Sequence, residues 1–165
     1  MGICDLYMAV EGAETQLIKS ILERHSIKYL VHDMSSTKVA TNLRKRVGAE
    51  PDALIPTPVL LVGKAARWSA TELPQLEASG DLQRIVAKER DRRLARDEYK
   101  YGVAYLRGEG VRRDPFVAYE WLRRSARRGD AKGQAALGTL LANGEAGVVD
   151  EAEAVRLYEA AAGGG

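Results

Sequence analysis

A period of 36 residues in the second half of the chain constrains its fold more strongly than any other feature. When the chain is aligned with itself at this offset, small and turn-forming residues coincide. The coinciding pairs are Gly102 with Gly138, Gly108 with Gly144, Asp114 with Asp150, and Ala118 with Ala154. Gly110 matches Gly147 at an offset of 37, which places the extra residue in a turn, where insertions are tolerated. The period predicts two copies of one structural unit over residues 92–165.

Each copy has the sequence of a helix–turn–helix. The first helix has residues at helical spacing on one face, namely Tyr99, Gly102, Val103 and Leu106. Gly108 and Gly110 end this helix, because glycine adopts the left-handed conformation of a helix end at little cost. Asp114 then suits the N-cap, and Pro115 suits the first position of the next helix. The second helix has an apolar face made of Ala118, Trp121, Leu122, Ser125 and Ala126.

Small residues stand where the two helices of each copy are expected to cross. Gly102 in the first helix and Ala118 in the second allow the two backbones to approach closely. Gly138 and Ala154 hold the matching positions of the second copy, and Asp150 is its predicted N-cap. We therefore expect two helix pairs with the same close crossing.

The first copy carries a dense set of small, turn-forming and aromatic residues. They are Tyr101-Gly102, Gly108-Glu109-Gly110-Val111-Arg112-Arg113-Asp114, Ala118, Trp121-Leu122, Ser125-Ala126 and Gly129. This pattern resembles the Sel-one-like repeat, a relative of the tetratricopeptide repeat. The resemblance covers residues 98–165 and implies an all-α solenoid of stacked helix pairs, whose concave surface binds other proteins. Tyr105 and Tyr119 are candidate anchors for a partner, and the sequence leaves open which face they occupy.

Residues 1–87 alternate between strand and helix patterns. The predicted elements are strand Ile3–Met8, helix Ala13–Arg24, strand Ile27–Val31, helix Ser36–Val47, strand Val59–Val62, strand Ala66–Ser69 and a helix from Ser69 or Thr71 to Val86. This order of elements resembles that of the thioredoxin fold. The chain is thus predicted to join an α/β domain to a helical repeat segment.

Three segments of this domain resemble glutaredoxins. Residues 6–15 match the first strand, loop and helix start, and residues 23–29 match the end of the first helix and the second strand. Residues 55–63 match the third strand and its preceding loop. Among relatives, the domain is most similar to the Src-homology-three-binding glutamic-acid-rich proteins, a branch without redox activity. The resemblance makes Thr57-Pro58 a cis-proline site. The backbone beside it is either structural or part of a binding groove.

The residues needed for thiol–disulfide exchange are missing from this domain. A glutaredoxin uses a thiolate at the start of its first helix, where the pKa of the thiol is lowered. The matching positions here are Gly12 and Thr15, and Cys4 lies within a predicted strand. We therefore expect a domain without redox activity, no cofactor and no bound glutathione.

These features together predict a protein–protein interaction adaptor or scaffold rather than an enzyme. The alternative is a glutathione-binding or glutathione-dependent enzyme that uses the thioredoxin-fold groove, with Tyr7 and Thr57-Pro58 as its support. A third interpretation is that residues 1–87 only cap the repeats. Residues 88–97 mix both charge signs and are predicted to form a solvated helical linker that continues into the first repeat helix.

Composition also limits the classes of partner and ligand that we expect. The chain has 25 basic and 23 acidic residues. This near balance provides no strong electrostatic attraction to nucleic acid or to an acidic membrane. No apolar run approaches the ~20 residues of a membrane span, and no signal peptide is evident. With one cysteine and two histidines that lack ligand spacing, no metal site is expected. We expect a cytoplasmic protein whose partners are other proteins.

Overall fold

The computed structural model describes residues 4–9, 11–55, 57–63 and 66–164. The chain divides into two compact units, Met1–Glu89 and Arg90–Gly165. Ile3, the predicted start of the first strand, lies outside the described residues. Among the helices that the structure describes, none has the length and apolar character needed to cross a lipid bilayer.

The first unit is built on a four-stranded mixed sheet. The strands are β1 (Cys4–Met8), β2 (Tyr29–Asp33), β3 (Val59–Val62) and β4 (Ala66–Ser69). They lie in the order β2-β1-β3-β4, with β2 parallel to β1, β3 antiparallel to β1 and β4 antiparallel to β3. The helices are α1 (Ala13–Arg24), α2 (Thr37–Val47) and α3 (Leu73–Ser79). The predicted order of strands and helices is confirmed.

Alternate residues of the strands enter two separate hydrophobic clusters. Leu6 of β1 and Leu60 of β3 pack with α1 and α3, in a cluster that also contains Ile18, Leu22 and Leu73. The residues on the other side of the sheet pack with α2, in a cluster formed by Tyr7, Leu43, Val59 and Leu61. Because strand side chains alternate between faces, both faces of the sheet are covered.

The second strand begins later than the sequence predicts. Ser26 ends the turn after α1 with φ of 53°, and the Ile27 amide donates to the Leu22 carbonyl at 2.8 Å. Ile27 is therefore buried against the cluster of α1 before the strand starts. The strand itself lies at the sheet edge and leaves Leu30 and Val31 exposed. The strand is present, but its bounds are Tyr29–Asp33 rather than the predicted Ile27–Val31, because Ile27 packs against the helix end.

The helix predicted to run to Val86 is two helices. Gly80, with φ of 76°, ends α3, and α4 (Asp81–Arg107) begins directly after it. Helix α4 contains the segment predicted as a linker and the predicted first repeat helix. Residues 88–97 are helical, and two of them, Glu89 and Ala95, are buried, so the segment is not fully solvated.

The second unit repeats one plan of helices and caps. Its remaining helices are α5 (Pro115–Arg127), α6 (Ala131–Asn143) and α7 (Glu151–Gly163). Asp114 accepts hydrogen bonds from the Phe116 and Val117 amides at the start of α5. Asp150 accepts one from the Glu153 amide at the start of α7, so both predicted N-caps are confirmed. Gly108, Gly110, Gly144 and Gly147 all adopt positive φ in the turns before α5 and α7.

Small residues allow the two helices of each repeat to pack closely where they cross. A Cβ atom on Gly102 would lie 2.6 Å from Cγ of Leu122, a fully buried residue of α5. A Cβ on Gly138 would lie 3.1 Å from the Tyr158 ring and 3.2 Å from the Ala154 carbonyl oxygen in α7. Ala118 and Ala154 are both buried, as predicted for the crossings.

Candidate functional site

An aromatic surface lies on the first repeat, and we define it as Tyr101, Tyr105 and Trp121. Tyr101 of α4 is 55% exposed and stands against Trp121 of α5, with ring centroids 5.2 Å apart and planes tilted by 45°. The Arg124 guanidinium lies over the Trp121 ring, 5.1 Å from its centroid. Tyr105 is half-buried one helical turn after Tyr101. The arrangement presents aromatic area with a cation at its side, which suits a protein-binding surface.

Equivalent residues of the second repeat show what can cover this surface. At the offset of 36 residues, Tyr101 corresponds to Leu137 and Tyr105 to Leu141. Both leucines are buried, with 5% and 4% of their surface exposed, and they cluster with Leu122 of α5. The side of α6 that bears these leucines is thus covered by a packed helix. The same side of α4 carries the aromatic surface.

Tyr119, the other predicted anchor, lies elsewhere. It is half-buried and packs against the cluster that contains Leu137, Leu141 and Ala154. The Arg123 guanidinium is 6.0 Å from its ring centroid. Of the two predicted anchors, only Tyr119 packs against this cluster.

Charge is distributed unequally between the two repeats. Residues 90–130 contain twelve basic and seven acidic residues, whereas residues 131–165 contain two basic and five acidic residues. Arg128 bonds to Asp91 at 3.2 Å and Glu98 at 3.1 Å, which ties the end of α5 to α4. Arg113 pairs with Glu145 at 2.7 Å and links the turns of the two repeats.

A polar network lies within the first unit, on the α2 side of the sheet. Arg46 donates to the Asp5 carboxylate at 2.9 Å, to the Tyr7 hydroxyl at 2.8 Å and to the Gly63 carbonyl at 3.0 Å. His32 bonds to the other Asp5 oxygen at 2.9 Å and stacks on the Tyr7 ring. Burial raises the pKa of the Asp5 carboxyl, but the hydrogen bonds to His32 and Arg46 outweigh it, so the net shift is downward.

This network bears on the glutathione alternative, because Tyr7 was one of the residues that supported it. Tyr7 is only 3% exposed and its hydroxyl accepts from Arg46, so the side chain belongs to the packed face beneath α2. The positions that match the glutaredoxin cysteines hold an exposed Gly12 and a buried Thr15. Cys4 is fully buried within β1. The tyrosine is therefore a structural residue of the sheet.

Thr57 and Pro58 lie directly before β3, and their peptide bond is cis. Both residues are half-buried, and the next residue, Val59, pairs with Tyr7 across β3 and β1. Within the described ranges, no group of three histidine, cysteine, aspartate or glutamate side chains could hold a metal ion.

Two features were missed by reasoning from the sequence. Tyr101 was detectable, because the repeat offset places it opposite Leu137, and an aromatic residue in place of a core leucine indicates a changed environment. The Asp5–Arg46 pair had a weaker signal, namely one charged residue within an apolar strand. The partner lies 41 residues away, so spacing alone could not identify it.

Comparison with known proteins identifies the second unit. The Sel1 repeat family matches residues 90–130 and 131–165. A crystal structure of a Sel1 repeat protein from Oxalobacter formigenes is 19% identical, with a TM-score of 0.42, and the match covers 92% of this chain. The chain spans 58% of the length of that protein. No curated protein matches. Sel1 repeat proteins typically mediate protein–protein interactions, which is compatible with an adaptor role. Sel1 repeats are therefore found in residues 90–165.

Proposed function

We propose that this chain is a protein–protein interaction adaptor that binds its partner through the aromatic surface of the first Sel1 repeat. The observation that carries the proposal is the exposure of Tyr101, which is 55% exposed where the equivalent Leu137 is 5% exposed. An exposed tyrosine beside Trp121 is the type of residue that contributes most binding energy in protein interfaces.

The partner element that fits this surface best is an amphipathic helix. On α6, the equivalent position is covered by a helix, α5, whose small residues allow a close approach. Gly133 of α6 has no side chain, and a Cβ there would collide with the Ser125 side chain of α5. A partner helix with apolar residues at helical spacing would cover Tyr101 and Tyr105, at a wider separation than α5 has from α6, because Asp97 stands in α4 where α6 has Gly133.

For the first unit, the proposal is a thioredoxin-like domain that has no redox activity and binds no glutathione. Its support is the sheet order, the helices on both faces and the resemblance to glutaredoxins. The residues at the start of α1, Gly12 and Thr15, supply no thiol, and the Cys4 thiol is buried. We also propose a cytoplasmic location, in keeping with a chain that has a single cysteine.

The adaptor proposal is tested by quantitative affinity capture with the full chain and with the Tyr101→Ala variant. A partner that binds the aromatic surface is enriched by the wild type and lost with the variant. Val149→Ala is the matched control, because Val149 is an apolar side chain with 66% exposure in a turn of the second repeat. Equal capture by all three proteins would contradict the proposed surface.

The first unit is tested separately by titrating reduced glutathione into the full chain and measuring the heat released. We expect no saturable binding. Saturable binding, combined with thiol-transfer activity, would establish the enzyme alternative and reject the redox-inactive interpretation.

A further inference from the structure

The second helices of the two repeats each expose a stripe of residues at equivalent positions. On α5 the stripe is Phe116, Glu120, Arg123 and Arg127, and on α7 it is Ala152, Arg156, Glu159 and Gly163. Spacings of four, three and four residues keep each stripe on one side of its helix. This side is opposite the buried residues Ala118 and Ala154. Phe116 is 65% exposed although it is a large apolar side chain.

Charge signs are inverted between the two stripes. Glu120 on α5 corresponds to Arg156 on α7, and Arg123 corresponds to Glu159. The inversion extends to the whole helices, since α5 has three arginines and one glutamate, whereas α7 has three glutamates and one arginine. At these two positions each stripe is the electrostatic complement of the other, whereas Arg127 corresponds to the uncharged Gly163.

Within one chain, the charged side chains of the stripes form only long ion pairs or none. Glu120 and Arg123 approach each other only to 4.0 Å, and Arg156 pairs with Glu153 at 3.5 Å. In the part of the chain that the structure describes, Arg127 and Glu159 have no ion-pair partner. Exposed pairs of this kind contribute little to the stability of the fold, so these charges remain able to pair with a second molecule.

We propose that a second copy of this chain docks on the two stripes, so that α5 of each copy faces α7 of the other. With the stripes in register, Glu120 meets Arg156 of the second copy and Arg123 meets its Glu159. Phe116 covers the second copy's Ala152, an apolar contact beside the charges. Two-fold symmetry makes each contact twice and closes the assembly as a dimer.

This dimer goes beyond the adaptor function and uses a different surface. Trp121 and Tyr101 are not members of either stripe, so the aromatic surface is left for another protein. Two copies would present two aromatic surfaces to a partner, which strengthens binding to a bivalent partner without any new contact.

The test is sedimentation velocity of the full chain over a concentration series, with charge reversals at one matched pair. We expect a wild-type dimer that weakens as salt is raised, because exposed ion pairs are screened. Arg123→Glu and Glu159→Arg each place like charges opposite one another and should weaken the dimer by roughly tenfold or more. Lys132→Glu is the matched control, because it makes the same charge change on α6, outside both stripes, and should dimerise like the wild type.

Two combinations make the test specific for the proposed pairing. The combined variant, Arg123→Glu with Glu159→Arg, restores opposite charges and should recover the dimer. A mixture of the two single variants should form a heterodimer, since both of its pairs are complementary. A wild type that is monomeric at every concentration, a salt-independent dimer, or a combined variant as weak as the single ones would overturn the proposal. The salt series keeps the test valid even if a variant fails to fold.

Discussion

Tyr101 in the first repeat and Leu137 in the second hold equivalent positions, yet 55% of the tyrosine and 5% of the leucine is exposed. The two repeats have the same N-caps, the same glycine turns and the same crossing of small residues. They differ in the side chains that these shared features leave at the surface. The comparison shows that the residues which set the backbone conformation, namely the caps, turn glycines and crossing residues, occur in both copies. The exposed residues that could form a binding surface differ from one copy to the next.

The crossing glycines should give the largest difference between the repeats. Gly102→Ala places a Cβ 2.6 Å from Cγ of Leu122, a fully buried side chain that can shift only by displacing its packed neighbours, so we expect a loss of about 1–3 kcal/mol. Gly138→Ala meets the Tyr158 ring, which is 42% exposed and can shift, and the Ala154 carbonyl oxygen at 3.2 Å. Because alanine favours the helix by ~1 kcal/mol, we expect a smaller loss than for Gly102→Ala. Urea unfolding, followed by Trp121 fluorescence in a Trp68→Phe background, measures both. Equal losses would reject the close-crossing argument for the first repeat.

The N-caps should give a smaller difference. Asp114 accepts from two amides and Asp150 from one. We expect Asp114→Ala to cost about 1 kcal/mol, and Asp150→Ala to cost less, because fewer amide donors lose their partner. The same unfolding measurement applies, with Asp114→Asn as the conservative control. A larger loss for Asp150→Ala would show that the number of cap bonds does not set the cost.

A buried hydroxyl should give an effect similar in size to that of the Asp114 N-cap. Ser125 is fully buried and donates to the Ala95 carbonyl at 2.8 Å, whereas the second repeat has Ala161 at this position. We expect Ser125→Ala to lose roughly 0.5–1.5 kcal/mol and Ala161→Ser to be close to neutral. Thermal melts of both variants check this, and an unchanged Ser125→Ala protein would contradict it.

The repeat plan was predictable because its signals are local and occur twice. An aspartate before a helix, glycines after one and small residues at a crossing are each fixed by a few neighbouring residues. The start of β2 was not predictable in this way, because the burial of Ile27 depends on contacts with α1 and the sheet. The break at Gly80 was missed because glycine also occurs inside helices, as at Gly102.

The binding surface was only partly predictable. Tyr105 was identified as a candidate anchor, but the orientation of an aromatic side chain depends on which helix packs beside it. Tyr119 looked equivalent in the sequence and is instead packed against the hydrophobic cluster that both repeats share. The contact between Tyr101 and Trp121 joins two helices, so it is not visible in the periodicity of either helix.

The central claim is that the aromatic surface of the first repeat binds a protein partner. The most direct test is isothermal titration of a captured partner into the wild type and into Tyr101→Ala. Loss of an aromatic anchor should weaken the affinity by about tenfold or more, with the folding of the variant unchanged. An affinity equal to that of the wild type would contradict the account.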